Sequence, residues 1–368
     1  MALSEGSDEP MTEPSIRYEQ GGYHPVALGD VFKNGRYKIY HKLGYGGYST
    51  VWLAKDTHST TSKEACRLQA LNGSKYVVKL FDQFIHHGPN GSHLCLVLEL
   101  LGLSLSNILY MLDEYRLTTD TILKLTKQLL EAISYIHESG FAHGEDLSPR
   151  NLAFSSTRLA NLSHDDIFKV LGEITTEYLG VINNRYPEQL IEAAMWDEWM
   201  DDEDEDIRVL DFGESFRQGE EPERLFNVPK LKAPELFFTN KFDYRVDLWV
   251  TGLMIYVLIF GDSPFKHMVN ENAFIQQMIG FVEDLPSEWQ QKWKEISSSN
   301  CLEDSKSIVT LLENVNLTRS KLDADFEDID DIDLKILLPV IKGLVRFRPS
   351  DRISASQALK LLEHGNGI

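Results

Sequence analysis

The chain has 368 residues, enough to bury a large core as one bilobal domain or as two closely associated ones. Its 42% of hydrophobic and 25% of charged residues are ordinary for a globular protein. A net charge of −21 argues against direct binding to nucleic acid or an anionic membrane. That charge suits basic protein partners or, equally, a well-solvated surface.

Cysteine usage and the opening residues bear on the compartment. The chain has three widely spaced cysteines, which form no disulfide framework or zinc pattern and favour a reducing compartment. Its polar, acidic first residues do not resemble a signal peptide, and the most apolar run, residues 248–261, is too short to cross a bilayer. We therefore expect a soluble protein of the cytoplasm or nucleus.

The first half of the chain alternates between strand and helix signals. Residues 1–17 lack hydrophobic periodicity and are predicted to be a disordered tail. From Tyr37 the sequence is typical of two strands joined through glycines, RYKIYHKLG and then YSTVWLAKD. HLCLVLELLG at 93–102 predicts an apolar strand that runs into a hinge. Residues 117–140 predict an amphipathic helix, capped by Thr118 or Thr119 and ended by Gly140.

A long segment, residues 155–206, separates two motifs that carry chemistry. It has helical pieces and ends in the acidic run DDEDEDI, which we expect to be solvated, as we do the run at 323–333. The spacing required of a calcium loop is absent. We expect Trp196 and Trp199 to pack onto the C-terminal part of the fold.

A glycine-rich turn joins the first two predicted strands. Gly44, Gly46 and Gly47 stand in a G-x-G-x-x-S pattern, and glycine lets backbone N–H groups approach phosphate oxygens closely. Glycine turns are common in hairpins, so this pattern alone is a weak signal.

Two later motifs supply oxygen ligands. Asp146 opens DLSPRN, where phosphoryl transfer needs a carboxylate to accept a hydroxyl proton, and Asn151 closes it as a metal ligand. Asp211, in DFG after the short buried strand IRVL, adds a second carboxylate. Such hard oxygen ligands, together with the phosphates of ATP, suit Mg²⁺.

Further motifs are structural. Glu235, in APE, is predicted to form a buried pair with Arg352, and Asp247 opens the apolar helix in D-x-W-x-x-G. The order and spacing of all these motifs predict an α+β protein kinase fold. Its N-lobe, with a small antiparallel sheet, would span 18–100, and its mainly helical C-lobe would span 101–368 and include the insertion 155–206.

Residues 18–56 and 86–102, together with the long insertion, resemble the serine/arginine-protein kinase (SR-protein kinase) family, and DLSPRN with the acidic stretch resembles its divergent fungal members. The resemblance implies a monomeric enzyme that uses ATP and Mg²⁺ to phosphorylate Ser in Arg/Ser-rich splicing-type proteins. It implies roles for three groups of residues. Leu43, Gly44, Gly46, Gly47 and Val51 would cover ATP; Leu98, Glu99 and Leu101 would line the adenine and hinge; Asp146 would be the base, and Asn151 and Asp211 would bind Mg²⁺.

Two departures from the family lie in the catalytic loop. His143-Gly144-Glu145-Asp146 has one residue too many between His and Asp, so the usual bracing role of the His is uncertain. Ser148 stands where the family has a lysine that touches the transferred phosphate. Arg150, four residues after the base, occupies the position at which tyrosine kinases with D-L-A-A-R-N keep a compensating arginine.

The third departure is the ATP-anchoring lysine. SKEACRLQAL at 62–71 already predicts the helix that should follow the lysine-bearing strand, with Glu64 in the pairing position. Lys63 is its immediate neighbour and cannot face it. No helix follows Lys79, so Val77–Leu80 is better interpreted as the next strand, and the N-lobe is predicted to lack its lysine-bearing strand near residues 57–62.

Two hypotheses therefore remain open. The chain is an active serine/threonine kinase, or it is the product of a locus whose usual product is one. In the second case, a skipped or mis-predicted exon near residues 57–62 would explain the missing strand. Alternatively, it is a catalytically impaired pseudokinase that acts as a binding module or scaffold for basic partners.

Overall fold

The computed structural model describes residues 12–57, 73–112, 117–144, 146–155, 159, 161–180, 183–196, 205–225, 229–239, 241–265, 271–299 and 320–365. These residues form two compact units. The first takes in the described parts of Met1–Gly73, Val78–Leu103 and Phe154–Glu205. The second takes in Ser74–Val77, Ser104–Ala153 and the described parts of Asp206–Ile368.

The first unit is built on two antiparallel sheets. The three-stranded sheet has the order β1 (Val31–Phe32), β2 (Tyr37–Tyr45) and β3 (Thr50–Asp56), and β4 (Leu80–Gly88) pairs with β5 (Gly91–Leu98) in a hairpin. Among the described residues, no strand joins β3 to either strand of the hairpin. The predicted helix at 62–71, with Lys63 and Glu64, lies outside the described residues.

A buried carboxylate ties the two sheets together. Asp82 of β4 is 3% exposed and accepts hydrogen bonds from Lys33 Nζ at 2.6 Å, Arg36 Nη1 at 3.2 Å and the Tyr37 hydroxyl at 2.6 Å. Burial alone would raise the pKa of Asp82, but the hydrogen bonds from Lys33 and Tyr37 hold it below its ordinary value. The rings of Tyr37 and Phe84 stack at 5.8 Å beside this carboxylate.

The insertion belongs to the first unit, and not to the C-terminal lobe as we expected. It contributes α3 (His164–Leu171), β8 (Thr176–Tyr178) and β9 (Gln189–Ile191). The reason is a main-chain contact, because the Ala194 N–H donates to the Lys42 carbonyl of β2 at 3.0 Å. Trp196, a residue of this unit, is buried, while Trp199 and residues 201–204 lie outside the described residues.

The N-terminal residues are also more ordered than predicted. Glu13 is 2% exposed and forms a salt bridge with Lys42, so a disordered tail that reaches residue 17 is wrong for residues 13–17. The contact involves a side chain about thirty positions away, which no local pattern signals. Residues 1–11 lie outside the described residues.

The second unit is mainly helical. Its helices are α1 (Leu105–Leu112), α2 (Thr119–Glu138), α4 (Glu235–Phe238), α5 (Val246–Phe260), α6 (Glu271–Met278), α7 (Ser287–Ser299), α8 (Lys321–Glu327), α9 (Leu337–Leu344) and α10 (Ala355–Gly365). Its short strands pair as β10 (Asp206–Val209) with β7 (Leu152–Ser155) and β11 (Phe216–Arg217) with β6 (Phe141–Ala142).

Helix α5 is the core of the second unit. Its residues from Val246 to Ile259 are all buried, as its continuous apolar sequence predicts. A Cβ at Gly252 would lie 2.4 Å from Val345 Cγ2, so this glycine permits the close approach of the chain that follows α9. Among the described residues, no helix combines the length and the apolar character that crossing a membrane requires.

Three histidines cluster in the first unit. The ring of His24 lies 4.5 Å from that of His86 and 5.2 Å from that of His93, which pair across the β4–β5 hairpin. Burial, and then the neighbouring charges of His86 and His93, lower the pKa of His24 to about 4. The ring also lies directly on Gly88, where an added Cβ would be 2.3 Å from Nδ1.

We predict that acid destabilises the first unit through His24. A histidine whose pKa is lowered by folding binds more protons in the unfolded chain, so its stabilising contribution is complete above about 6.5 and falls as the pH drops toward about 4. His24→Gln should flatten the pH dependence of the unfolding temperature over this window. His364→Gln, which changes an exposed histidine in α10, should leave it unchanged; equal slopes in the wild type and His24→Gln would contradict the prediction.

Candidate active site

One buried carboxylate fixes the backbone of the catalytic loop in the second unit. Asp247, fully buried at the start of α5, accepts hydrogen bonds from the backbone N–H groups of His143 at 2.7 Å and Gly144 at 3.0 Å. His137 Nε2, from α2, lies 2.9 Å from the same carboxylate. Burial alone would raise the pKa of Asp247, but the bond and charge of His137 and the charge of His143 keep it below its ordinary value.

His143 braces the segment that leads to Asp211. Its Nε2 donates to the Leu210 carbonyl at 2.8 Å, and its ring packs against Phe212 at 5.0 Å. The extra residue in the loop therefore leaves this His in contact with the DFG segment. Gly144 absorbs the extra residue, since it has a φ of +99° and an added Cβ would lie 2.2 Å from the Glu214 carbonyl oxygen.

The predicted base and the two predicted metal ligands all lie in the second unit. Asn151 Nδ2 donates to the Asp146 carbonyl oxygen at 2.8 Å, and the Leu210 N–H donates to the Asn151 carbonyl at 2.8 Å. Burial, and then the charge of Asp211, raise the pKa of Asp146 above its ordinary value. The two carboxylates are thus close enough to repel each other, which is the arrangement that a cation relieves.

Asp211 is exposed and has a strained backbone. Its φ of 55° lies in the left-handed region, which costs a non-glycine residue energy and is common at functional sites. Its Oδ1 accepts the Gly213 N–H at 3.1 Å. Arg150 is also exposed, at the 3-10 turn Pro149–Asn151, whereas Ser148 is buried.

The residues predicted to cover the nucleotide lie in the first unit. Gly46 and Gly47 are exposed at the turn between β2 and β3, Leu43 and Gly44 are half-buried, and Val51 is 49% exposed. Glu99 and Leu101 follow β5 and are half-buried. Glu99 Oε1 accepts the Lys79 backbone N–H at 2.8 Å, just before β4 begins at Leu80.

One buried lysine, Lys42, was not predicted from the sequence. Lys42 of β2 is fully buried, its salt bridge is to Glu13, and its Nζ lies 5.7 Å from the ring of Trp52. Lys42 faces Trp52 across the β2–β3 pair, and alternation along β3 places the neighbouring Val51 on the opposite face. Lys42 therefore does not share the face of Val51, the residue predicted to cover ATP.

The predicted structural pair is present. Arg352 donates from Nη1 to Glu235 Oε1 at 2.8 Å and from Nη2 to Oε2 at 2.5 Å, and both side chains are buried. Arg352 Nη1 also donates to the Arg245 carbonyl at 2.8 Å, which ties the start of α5 to the segment between α9 and α10. Such a bidentate pair is strong when all its remaining donors are satisfied.

The donor set of the second unit fits magnesium. Asp211 and Asn151 offer carboxylate and amide oxygens, and the repulsion between Asp146 and Asp211 marks a place that favours positive charge. Among the described residues, no group of three or more His, Cys, Asp or Glu side chains makes a complete metal site.

We predict that Gly144→Ala destabilises the chain more than Gly140→Ala. Both glycines have positive φ, so each substitution costs about 1 kcal/mol in backbone strain. Only at Gly144 does the new Cβ meet main chain, which brings the expected loss there to about 2–4 kcal/mol. Denaturant unfolding of both variants measures the difference, and equal losses would show that Gly144 does not pack against Glu214.

Comparisons with known proteins agree with this geometry. A model of the protein kinase domain family matches residues 53–170 and 198–362, more than half of the chain. A crystal structure of a kinase domain superposes with a TM-score of 0.59 over 92% of this chain and 98% of that one. Because the two sequences are only 15% identical, this similarity supports the fold alone.

Three curated relatives are named as protein kinases. The serine/threonine-protein kinase SRPK of Physarum polycephalum is 26% identical over 67% of this chain and 66% of its own length. The serine/threonine-protein kinase spk-1 of Caenorhabditis elegans is 36% identical over 42% of this chain and 18% of its own length. The SRSF protein kinase 3 of Homo sapiens is 33% identical over 40% of this chain and 30% of its own length. The matches span less than two thirds of these relatives' lengths. The chain belongs to the protein kinase domain family. Its predicted resemblance to the SR-protein kinases (SRPK) is confirmed by these relatives.

Proposed function

We propose that this chain is an ATP-dependent protein kinase that phosphorylates serine in basic, Arg/Ser-rich proteins. The observation that carries the proposal is the clamp of Asp247 on the backbone of His143 and Gly144. Together with the bond from His143 to Leu210, it holds Asp146, Asn151 and Asp211 in one folded unit.

Each polar residue of this unit has a chemical role in the proposal. Asp146 would accept the hydrogen bond of the substrate hydroxyl and orient it for attack. Asn151 and Asp211 would hold Mg²⁺, which neutralises the phosphate charge of bound ATP. Arg150 would add positive charge where Ser148 replaces the lysine of the family.

The proposed substrates follow from charge and from the relatives. A chain with a net charge of −21 attracts cationic segments over long distances. The human relative is named as an SRSF protein kinase. Glu327 at the end of α8, and Asp328 and Asp330 after it, are exposed and contribute to that field.

A specific observation favours the second candidate, a pseudokinase scaffold. Among the described residues, β3 and the β4–β5 hairpin belong to separate sheets, Lys42 is buried in a pair with Glu13, and the side chain of Lys79 is exposed. Electrostatic positioning dominates phosphoryl transfer, so a missing cation would cost several kcal/mol at the transition state.

We predict that the chain phosphorylates an Arg/Ser-repeat peptide in the presence of MgATP. Asp146→Ala should lower the rate by about 10²–10⁴-fold, the usual contribution of a general base. Because the pKa of Asp146 is raised, the wild-type rate should begin to fall with acidification at a higher pH than for an ordinary aspartate. Glu363→Ala, which removes an exposed carboxylate of α10 with no assigned role, is the matched control. No activity in the wild type, or full activity in Asp146→Ala, would refute the enzyme.

We also predict that MgATP raises the unfolding temperature of the wild type. Ligand binding stabilises the folded state by mass action, so the shift should grow with MgATP concentration. Asp211→Ala should reduce the shift because it removes a proposed Mg²⁺ ligand. A scaffold that binds no nucleotide would show no shift in either protein.

A further inference from the structure

The N-terminal segment Glu13–Tyr23, which we name the strap, is anchored by a buried ion pair to β2, the strand that leads into the glycine-rich turn. Glu13 and Lys42 of β2 are both buried and form a salt bridge. The hydroxyl of Tyr18 donates to the same Glu13 carboxylate. Removing one partner of a buried pair is strongly destabilising, because the other charge stays buried without compensation. This end of the strap is therefore firmly fixed.

The other end of the strap lies in an apolar cluster. Tyr18 and Tyr23 are 1% and 5% exposed, pack edge to face at 5.7 Å, and share this cluster with Leu190 of the insertion. The buried side chain of Asn90, at the turn between β4 and β5, donates to the Tyr23 carbonyl at 2.6 Å. Both the ring and the backbone of Tyr23 are thus held from several sides.

From this fixed position the Tyr23 hydroxyl donates a hydrogen bond to the Gly46 carbonyl, inside the glycine-rich turn. The rest of the turn is open, since Gly46 and Gly47 are exposed and Tyr48 is 91% exposed. Within the turn itself, the Gly46 N–H donates to the Ser49 carbonyl at 2.8 Å. The phenol is therefore a contact from the buried core of the unit to an otherwise solvent-facing loop.

We propose that Tyr23 is a positioning residue that holds the glycine-rich turn in the conformation that receives nucleotide phosphates. A glycine-rich loop has many accessible conformations, so a tether at Gly46 lowers the entropy lost when the loop closes on a ligand. The ring of Tyr23 supports the fold, and its hydroxyl acts on the loop. This inference rests on the proposed function in its choice of ligand, but the tether itself is a property of the free protein.

The test compares Tyr23→Phe with Tyr18→Phe in the full chain. Each variant removes one buried hydroxyl and keeps the aromatic ring in the same cluster. Only the Tyr23 hydroxyl contacts Gly46, while that of Tyr18 contacts Glu13. Hydrogen exchange of the backbone amides at 44–49 reads the loop directly, thermal unfolding reads stability, and titration with MgATP reads affinity.

For Tyr23→Phe we expect about fivefold faster exchange across the turn and about fivefold weaker MgATP binding, the factor that one hydrogen bond provides. Tyr18→Phe should lower the unfolding temperature and leave exchange in the turn as in the wild type. Unchanged exchange in Tyr23→Phe, or equal increases in both variants, would overturn the tether. If the wild type binds no MgATP, the proposed function fails, and the exchange comparison alone still decides whether Tyr23 holds the loop.

Discussion

The charge of Asp247 is the constraint on which the candidate active site depends. A carboxylate that is fully buried must be satisfied by donors, and here the donors are the backbone of the catalytic loop and a histidine of α2. Satisfying that charge fixes His143 and Gly144 in space. From there the bond of His143 to Leu210 fixes the approach to Asp211. One desolvated charge thus organises three segments that are far apart in sequence.

The same constraint explains how the loop accepts an extra residue. The donors to Asp247 come from the N-terminal end of the loop, and the bonds of Asn151 hold its C-terminal end. An insertion between two fixed ends must be taken up by a backbone that can turn sharply, and Gly144 supplies a positive φ against the Glu214 main chain. Motif spacing counts residues, whereas function depends on where the ends are held. The departure in spacing leaves the bracing role of His143 intact.

The features that sequence predicted are those with local signals. Helix α2 begins at Thr119, is capped by Thr118 and ends beside Gly140, because capping and periodicity act within a few residues. The pair of Glu235 and Arg352 was accessible because both stand in motifs with known spacing. The pairing of Ala194 with Lys42, and of Glu13 with the same lysine, joins segments distant in sequence and polar in composition. Nothing in a periodic pattern marks such contacts, so the insertion and the N-terminal residues were assigned incorrectly.

Lys42 shows why a buried lysine beside a glycine-rich turn does not by itself serve as an ATP-anchoring lysine. Burial lowers its pKa to about 8, and a fully buried carboxylate already balances its charge. Its contacts with Glu13 and Trp52 are on the face of the β2–β3 pair opposite to Val51. The pair therefore anchors Glu13 to β2, and the charge of Lys42 is used in that pair. If the chain transfers phosphoryl groups, Lys42 is therefore a poor source of the positive charge that phosphates require, and Arg150 is the nearest lysine or arginine in sequence to Asp146.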